Sequence, residues 1–358
     1  MRKKSLIVKR KVRKKFTIND LKVKKVYSVF KKITFKKIKK SNFALAVSGG
    51  PDSLCMAFLG KLYEKELRSK MTVLIVDHGL RKESCSEALK VKKILKSKKI
   101  ESKLLKWKGK IPKSNIQLNA RNIRFSLISN YCKKNNIKFL LTAHHKDDQI
   151  ENFFIRLFRG SGLTGLSSMT ESSDYNSNLK IVRPLLNFKK EDLKYITKNY
   201  FSTYINDPSN EDEKFLRIRI RKYRKNMEKE GLDTRKIMKT VDNLLSADQA
   251  LNFYKNKALY RHVSFVAKNK CLVNKKIFLD EAQEIIFKSF SDILSLVSGT
   301  YYPPRSKKVL NLINRLKGKK FAKSTLGGCI IEDRDNFVLI SKELKTKKSA
   351  MPTYKARF

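Results

Sequence analysis

Short apolar runs alternate with amphipathic stretches through the first half of the chain. Phe43–Val47, Met71–Val76, Ile100–Leu105 and Ile137–Thr142 have the length and composition of short buried strands. Helically spaced stretches, Ser84–Lys96 and Asn119–Lys134 among them, separate these runs. The alternation predicts a Rossmann-like parallel sheet with helices on both faces. Ile181–Leu185 is a candidate further strand, reached through a Ser/Asn/Asp-rich loop at Glu171–Asn178. Near the N-terminus a basic arm up to Phe16 precedes a helix on which Val26, Val29, Phe30 and Ile33 share a face. Lys222 to about Tyr260 reads as largely helical, most clearly in VDNLLSADQALNFYKNKAL. A YYPPR turn, a short helix at Lys307–Leu316 and a hairpin in CIIEDRDNFVLI, turning at Asp333–Asn336, follow. The expected organisation is a basic arm and helix (1–40), an α/β domain (41–220) and a mainly helical C-terminal region with a small β-hairpin (221–358).

Composition narrows the class. A chain of 358 residues with 41% hydrophobic content has room for about two domains. No apolar run reaches the roughly 18 residues of a spanning helix, and no signal-peptide pattern opens the chain, so a cytoplasmic location is expected. The five cysteines are scattered without a C-x-x-C pair, which supports neither a disulfide framework nor a zinc or iron–sulfur site. Net charge is +51, and residues 1–40 alone hold 18 Lys/Arg against the single acid Asp20. Lysine, asparagine and isoleucine are all abundant, as an AT-rich genome imposes, so part of this charge is a solvated coat. The remainder favours a nucleic-acid partner over a membrane surface.

The candidate chemistry begins behind the first strand, where Ser48-Gly49-Gly50-Pro51-Asp52-Ser53 opens a helix. Glycines there leave backbone N–H groups unobstructed at the positive end of a helix dipole, and Pro51 suits a first helical position. No Lys-Ser/Thr pair follows Gly50, which excludes a Walker loop. A literal G-x-G-x-x-G at Gly160–Gly165 follows a helical pattern instead of a strand and is only a glycine-rich loop. In parallel sheets ligands sit beyond the carboxyl ends of the strands. Ser48–Ser53, Asp77–Arg81 and Ala143–Asp148 all fall there. Beyond His144 and His145, Ile150, Phe153, Phe154, Leu157 and Phe158 form a core stripe, and Asp148 and Glu151 are i,i+3 neighbours able to share a cation. Arg217, Arg219 and Arg221 would face one side of an extended chain but spread over a helix.

The ordered motifs SGGPDS, DHGLR, NIQLNAR (Asn115–Arg121), TAHHKDDQIEN (Thr142–Asn152), RLFRGSGLTGL (Arg156–Leu166), RPLL (Arg183–Leu186) and NDPSNEDEKFLRIRIR (Asn206–Arg221) resemble the tRNA(Ile)-lysidine synthetases of the ATP-pyrophosphatase (PP-loop) superfamily. The resemblance implies that the cytosine 2-carbonyl oxygen of a CAU-bearing tRNA(Ile) attacks the α-phosphorus of ATP, and that the ε-amine of free L-lysine then displaces AMP. ATP contact is expected at Ser48, Gly49, Gly50, Pro51, Asp52 and Ser53, with Val76, Asp77 and His78 at the adenosine end. Mg²⁺ is expected on Asp52 and Asp148. His144 is expected to bind a phosphate or assist proton transfer, with His145 equally well structural. Arg121 pairs with phosphate or adenylate, or is a helix-surface charge. Glu151 is expected to receive the lysine ammonium, and Arg217, Arg219 and Arg221 the tRNA phosphates. The competing readings are a PP-loop tRNA thiolase, for which the cysteine spacing offers no support, and a non-catalytic RNA-binding protein on a nucleotide fold, against which Asp52, His144, Asp148 and Glu151 speak.

Overall fold

The computed structural model describes residues 6–9, 20–79, 83–109, 116–167, 169–176, 178–206, 213–214, 216–300, 303–318 and 323–343. Most of the expected basic arm, Leu80 and Arg81, Asn115 and the loop carrying Asp207, Ser209 and Asn210 lie outside the described residues. The chain divides into two compact units between Val241 and Asp242.

The first unit runs β1 (Leu6–Lys9), α1 (Leu21–Ile38), β2 (Phe43–Ala46), α2 (Pro51–Leu67), β3 (Met71–Asp77), α3 (Ser84–Lys96), β4 (Ser102–Lys106), α4 (Ile116–Lys134), β5 (Phe139–Leu141), α5 (Lys146–Leu157), α6 (Leu163–Leu166), β6 (Ser172–Asn176), β7 (Leu179–Val182), α7 (Lys190–Tyr200), β8 (Thr203–Asn206) and α8 (Leu216–Lys229). Its main sheet has the order β4-β3-β2-β5-β7-β6. The first five strands are parallel and β6 is antiparallel at the edge. Both faces are covered. On one, Phe43, Leu45, Val73 and Ile75 pack with Leu54, Phe58 and Leu59 of α2, and with Val91 and Leu95 of α3. On the other, Ala44, Leu74 and Leu140 pack with Ile128 and Cys132 of α4. Burying each such large apolar side chain stabilises by about 1.5–3 kcal/mol, which is why strands with no polar alternation end up inside.

Helix α2 is buried along most of its length. It sits so close to the sheet that a Cβ on Gly60 would meet Met71 Sδ at 2.8 Å and Leu45 Cδ1 at 2.9 Å. α1 uses Asp20 as its cap, with Oδ1 accepting from the Lys22 N–H at 2.8 Å, and buries Val23, Val26, Phe30 and Ile33.

One expectation changes, and one alternative left open by the sequence closes. Glu171–Asn178 is not a plain loop, because β6 forms within it. An edge strand has one hydrogen-bonded side and tolerates a polar sequence, and Tyr175 secures it by stacking on Phe125 at 5.5 Å between centroids. The arginine segment at 217–221 is helical, since it lies in α8, which also crosses residue 220 where a domain boundary is expected and remains in the first unit.

Helix α9 (Thr234–His262) runs across the division between the units. In the second unit β9 (Val263–Ala267), β10 (Lys270–Asn274), α10 (Ile277–Asp280), α11 (Gln283–Ser298), α12 (Ser306–Lys317), β11 (Lys323–Leu326), β12 (Cys329–Arg334) and β13 (Phe337–Lys342) follow. The expected hairpin is β12–β13, closed where Arg334 pairs with Phe337, but it is the centre of a five-stranded antiparallel sheet ordered β11-β12-β13-β10-β9. Cys271, Val273, Ile331, Val338 and Ile340 on its inner face bury Phe290, Ile293 and Leu294 of α11.

Candidate active site

Parallel pairing makes β3, β2 and β5 neighbours, so the turns after them meet at one edge. Behind β2 the chain leaves through Gly49, whose φ of +89° lies in the left-handed region that favours glycine. A Cβ there would stand 2.3 Å from Val91 Cγ2. The Ser53 hydroxyl, buried, accepts from the N–H groups of Ser48 and Gly49, both at 3.2 Å, and donates to the Gly50 carbonyl at 3.0 Å. Ser53 and the Gly49 N–H are therefore spent on shaping the loop. Ser48 is exposed, and the first-turn N–H groups of α2, which a helix leaves unpaired by its geometry, remain for an anion. Replacing Gly49 by Ala is expected to lower the unfolding free energy by about 1–3 kcal/mol, measured by urea titration. Gly50→Ala should cost less, because the nearest heavy atom to its added Cβ is Ser48 Oγ at 4.0 Å.

Asp52 stands in the first turn of α2. Its Oδ2 lies 3.5 Å from His145 Nε2, while its Oδ1 is buried with no hydrogen-bond partner. The same His145 nitrogen is 3.5 Å from Asp148 Oδ2, and His145 Nδ1 is 3.7 Å from Asp147 Oδ2. His145 is thus the centre of three carboxylates from α2 and α5. Burial alone would push its pKa down, but the hydrogen bond to Asp52 and the charges of Asp148, Asp52 and Asp147 raise it. His144 behaves oppositely. Burial, helped by the charges of Arg121, Arg183 and Arg217, pushes it down to about 3 against the pull of Asp148, so it is neutral at ordinary pH. Its Nδ1 is 3.0 Å from Thr142 Oγ1.

Helix α8 faces α5. Ile220 joins Ile150 and Phe154 in a small apolar cluster, and Arg217, Arg221 and Arg224 lie on the same side at i, i+4 and i+7. Arg217 bridges the acids, with Nε donating to Glu151 Oε2 at 2.6 Å and Nη2 to Asp148 Oδ1 at 2.9 Å. Arg221 donates to both oxygens of Glu151, which is 2% exposed. Arg224 Nη2 reaches Asp147 Oδ1 at 2.6 Å and its Nε reaches Glu228 at 2.8 Å. Burial favours protonated Asp147 and Asp148. For Asp147 the Arg224 and Lys190 hydrogen bonds, and for Asp148 the charges of His145 and Arg217, outweigh it and hold both below the usual carboxylate range.

This arrangement redistributes the three arginines expected at tRNA phosphates. Arg217 and Arg221 turn inward onto Glu151, and only Arg219 points elsewhere, donating to the carbonyls of Glu213 and Lys214. Arg224 was not singled out from the sequence, yet reading 217–228 as a helix puts it on the Arg217 face. The remaining expected residues end neighbouring elements. Asp77 is buried at the end of β3, where its Oδ1 accepts from Ser84 Oγ at 2.7 Å and the Gly79 N–H at 3.0 Å. Burial pushes its pKa up, and those two hydrogen bonds outweigh it to a net lowering. Val76 precedes it, and His78, half-buried, has Nδ1 3.5 Å from Ser84 Oγ. Arg121 on α4 is exposed, with its guanidinium 5.1 Å from the Phe125 ring centroid.

The thiols stand apart from this edge in character. Cys55, Cys132, Cys271 and Cys329 are buried, all five cysteines are free, and burial pushes Cys132 and Cys271 up to about 12.

Residues 22–226 match the PP-loop domain family. The tRNA(Ile)-lysidine synthase of Orientia tsutsugamushi is 34% identical over 308 residues, covering 84% of this chain and 69% of its own. That of Rhodopseudomonas palustris is 34% identical over 300 residues, covering 80% and 86%. Among solved structures, the U34-tRNA thiolase NcsA of Methanococcus maripaludis, determined with its [4Fe-4S] cluster, aligns with a TM-score of 0.55 at 20% identity over 64% of this chain and 81% of its own, a likeness of fold alone. A glycine-turned loop on α2, the acids of α5 and the arginines of α8 meet in a chain that is related to these synthases over most of its length, and the chain belongs to the tRNA(Ile)-lysidine synthase family of PP-loop, ATP-using proteins.

Proposed function

We propose that this chain ligates free L-lysine to the first anticodon cytidine of a CAU-bearing tRNA(Ile), forming lysidine with release of AMP and PPi. The observation that carries the reading is the convergence of the Ser48–Ser53 loop with the Asp52, His145, Asp148 and Glu151 cluster at the carboxyl edge of the parallel sheet, in a chain whose relatives are named for this product. The cytosine O2 attacks the α-phosphorus of ATP, forming an O2–P bond as the bond to the bridging oxygen of pyrophosphate breaks. The lysine ε-amine, once it has lost a proton, attacks C2. The C2–O2 bond then breaks and AMP leaves with that oxygen.

In this scheme the amino end of α2 faces the phosphates, Ser53 and Gly49 hold the loop in shape, and the Asp77 turn borders the adenosine. His144, held neutral, serves as a hydrogen-bond partner to a phosphate oxygen without adding charge. Arg121 remains the candidate cation for the phosphate or adenylate, and Arg219 the outward arginine for RNA. Among the described residues no group of three or more His, Cys, Asp or Glu is arranged to hold a metal by itself. Mg²⁺ does not require one, since it commonly takes one or two carboxylates plus phosphate oxygens and water. Asp52 fits it, because Oδ1 is a buried carboxylate oxygen without a partner, and Asp148 is the adjacent carboxylate. When bound, the ion would offset charge developing on the phosphate oxygens. Among the described residues no helix is long and apolar enough to cross a membrane, and a cytoplasmic enzyme is the reading adopted.

Product analysis tests the scheme. Turnover should require both tRNA and lysine and yield AMP and PPi, with no stoichiometric ADP by chromatography. ADP as the main product, or turnover indifferent to tRNA, would overturn it.

A further inference from the structure

The opposite end of the sheet carries a cavity of about 800 Å³, beneath the amino ends of β3 and β4 and between the last turns of α3 and α4. Lys70, Lys92, Lys96, Lys99 and Lys103 line it, against one acid, Glu101. All five lysines are exposed, and none is ion-paired with a described residue. Helix carboxyl ends favour cations, and that preference accounts for Lys96 in the last turn of α3. It does not account for Lys70, Lys99 and Lys103, which precede β3, close the turn after α3 and lie in β4. Setting five ammoniums against one carboxylate and two helix ends of about −0.5 each leaves roughly +3 in one concavity. Like charges gathered there repel, and a cleft lined by one sign of charge focuses its field outward on an anion. The neutral lining suits the same ligand. Ser102 Oγ is buried without a hydrogen-bond partner, and Tyr131 is among the lining residues.

We propose that this groove binds the sugar–phosphate backbone of RNA, as a second contact surface remote from the catalytic edge. The ligand is a backbone because the charges are lysines only. Ammoniums act as point charges without the bidentate geometry by which arginine reads a particular group, which suits sequence-independent phosphate contact. β3, with seven residues, separates the groove from the catalytic edge by roughly 23 Å at about 3.3 Å per residue. A folded RNA that offers one base at the catalytic edge has phosphates at such distances. The inference rests on the reading of the substrate as tRNA only for the identity of that RNA.

The test compares the full-length protein with a variant carrying Lys70→Gln, Lys96→Gln, Lys99→Gln and Lys103→Gln. Unfractionated transfer RNA serves as probe, and fluorescence anisotropy follows binding across salt concentrations. The log–log slope should flatten by about 0.7–0.9 for each phosphate no longer neutralised, roughly two to four in all. Lysidine formation at saturating tRNA should keep its kcat while KM for tRNA rises. A control variant replacing Lys24, Lys25, Lys32 and Lys36, all exposed on α1, should leave the slope unchanged. An unchanged slope in the groove variant, or equal flattening in the control, overturns the proposal. So does loss of binding to phosphatidylserine vesicles with the RNA slope intact, which would assign the groove to a membrane. Failure of the lysidine reading looks different, as a wild-type protein that binds RNA and forms no lysidine.

Discussion

Asp52→Asn is expected to slow adenylate transfer by about 10²- to 10³-fold and to leave the unfolding midpoint nearly unchanged. That size is typical when one preorganised electrostatic contact to a developing charge is removed. Stability is spared for a local reason. Asp52 Oδ1 has no hydrogen-bond partner to lose, and among the described residues the one ion pair of its Oδ2 is the long 3.5 Å contact to His145. Asn keeps the shape and one carbonyl oxygen, so the fold loses a charge and little packing. Asp148→Asn should differ. Its Oδ1 holds Arg217 at 2.9 Å and its Oδ2 holds the His145 N–H at 3.0 Å, so that variant should lose both activity and about 1–3 kcal/mol of stability. Single-turnover transfer from α-labelled ATP, followed across a Mg²⁺ titration beside thermal unfolding, separates the two. Near-normal Mg²⁺-dependent transfer in Asp52→Asn would remove that residue from the metal role and leave its bare oxygen unexplained.

What sequence makes legible here follows from where each segment is buried. β2, β3 and β5 lie in the interior of the sheet, so apolar runs mark them. β6 sits at an edge, where one side of the backbone is unpaired and Ser/Asp residues are tolerated, and its sequence resembles a loop. β9 was hidden for a related reason. The helical pattern of α9 leads directly into Val263, and β9 is an edge strand with most of its residues exposed. The β12–β13 turn was visible because polar Asp335 and Asn336 interrupt two apolar runs. At the site, the glycine of the phosphate loop was legible because backbone conformation restricts residue type locally. The partner of Arg217 was not, because Glu151 is 66 residues away and no local rule pairs them. Ser53 differs, since its hydroxyl partners lie within five residues, but residue type alone does not say whether a loop hydroxyl faces a ligand or turns inward to brace the loop.

The inward arginines bear directly on how lysine is selected, and Glu151→Gln is expected to raise the lysine requirement by roughly 10–150-fold. Losing a hydrogen bond to a charged group costs about 1.5–3 kcal/mol, which converts to that range. Asp148 and Glu151, one helical turn apart, already share a cation in this structure, since Arg217 donates to both. Under the proposed function, a lysine ammonium arriving at this pair would compete with Arg217, whose side chain is 40% exposed and has solvent to turn into. Arg221 stays on Glu151 and keeps the carboxylate aimed. Gln removes the charge while retaining the length, so the amine loses its counterion before it loses its place. Adenylated tRNA formed without lysine should still accumulate, because that half-reaction precedes the amine. A lysine chase after single-turnover adenylation measures the two steps apart, and Glu151→Asp should recover part of the lysine response by restoring charge at a shorter reach. Equal loss of both half-reactions, with early unfolding, would make Glu151 the anchor that holds α8 to α5. Lysine would then be read by another acid, and Asp147 would have to release Arg224 to do it.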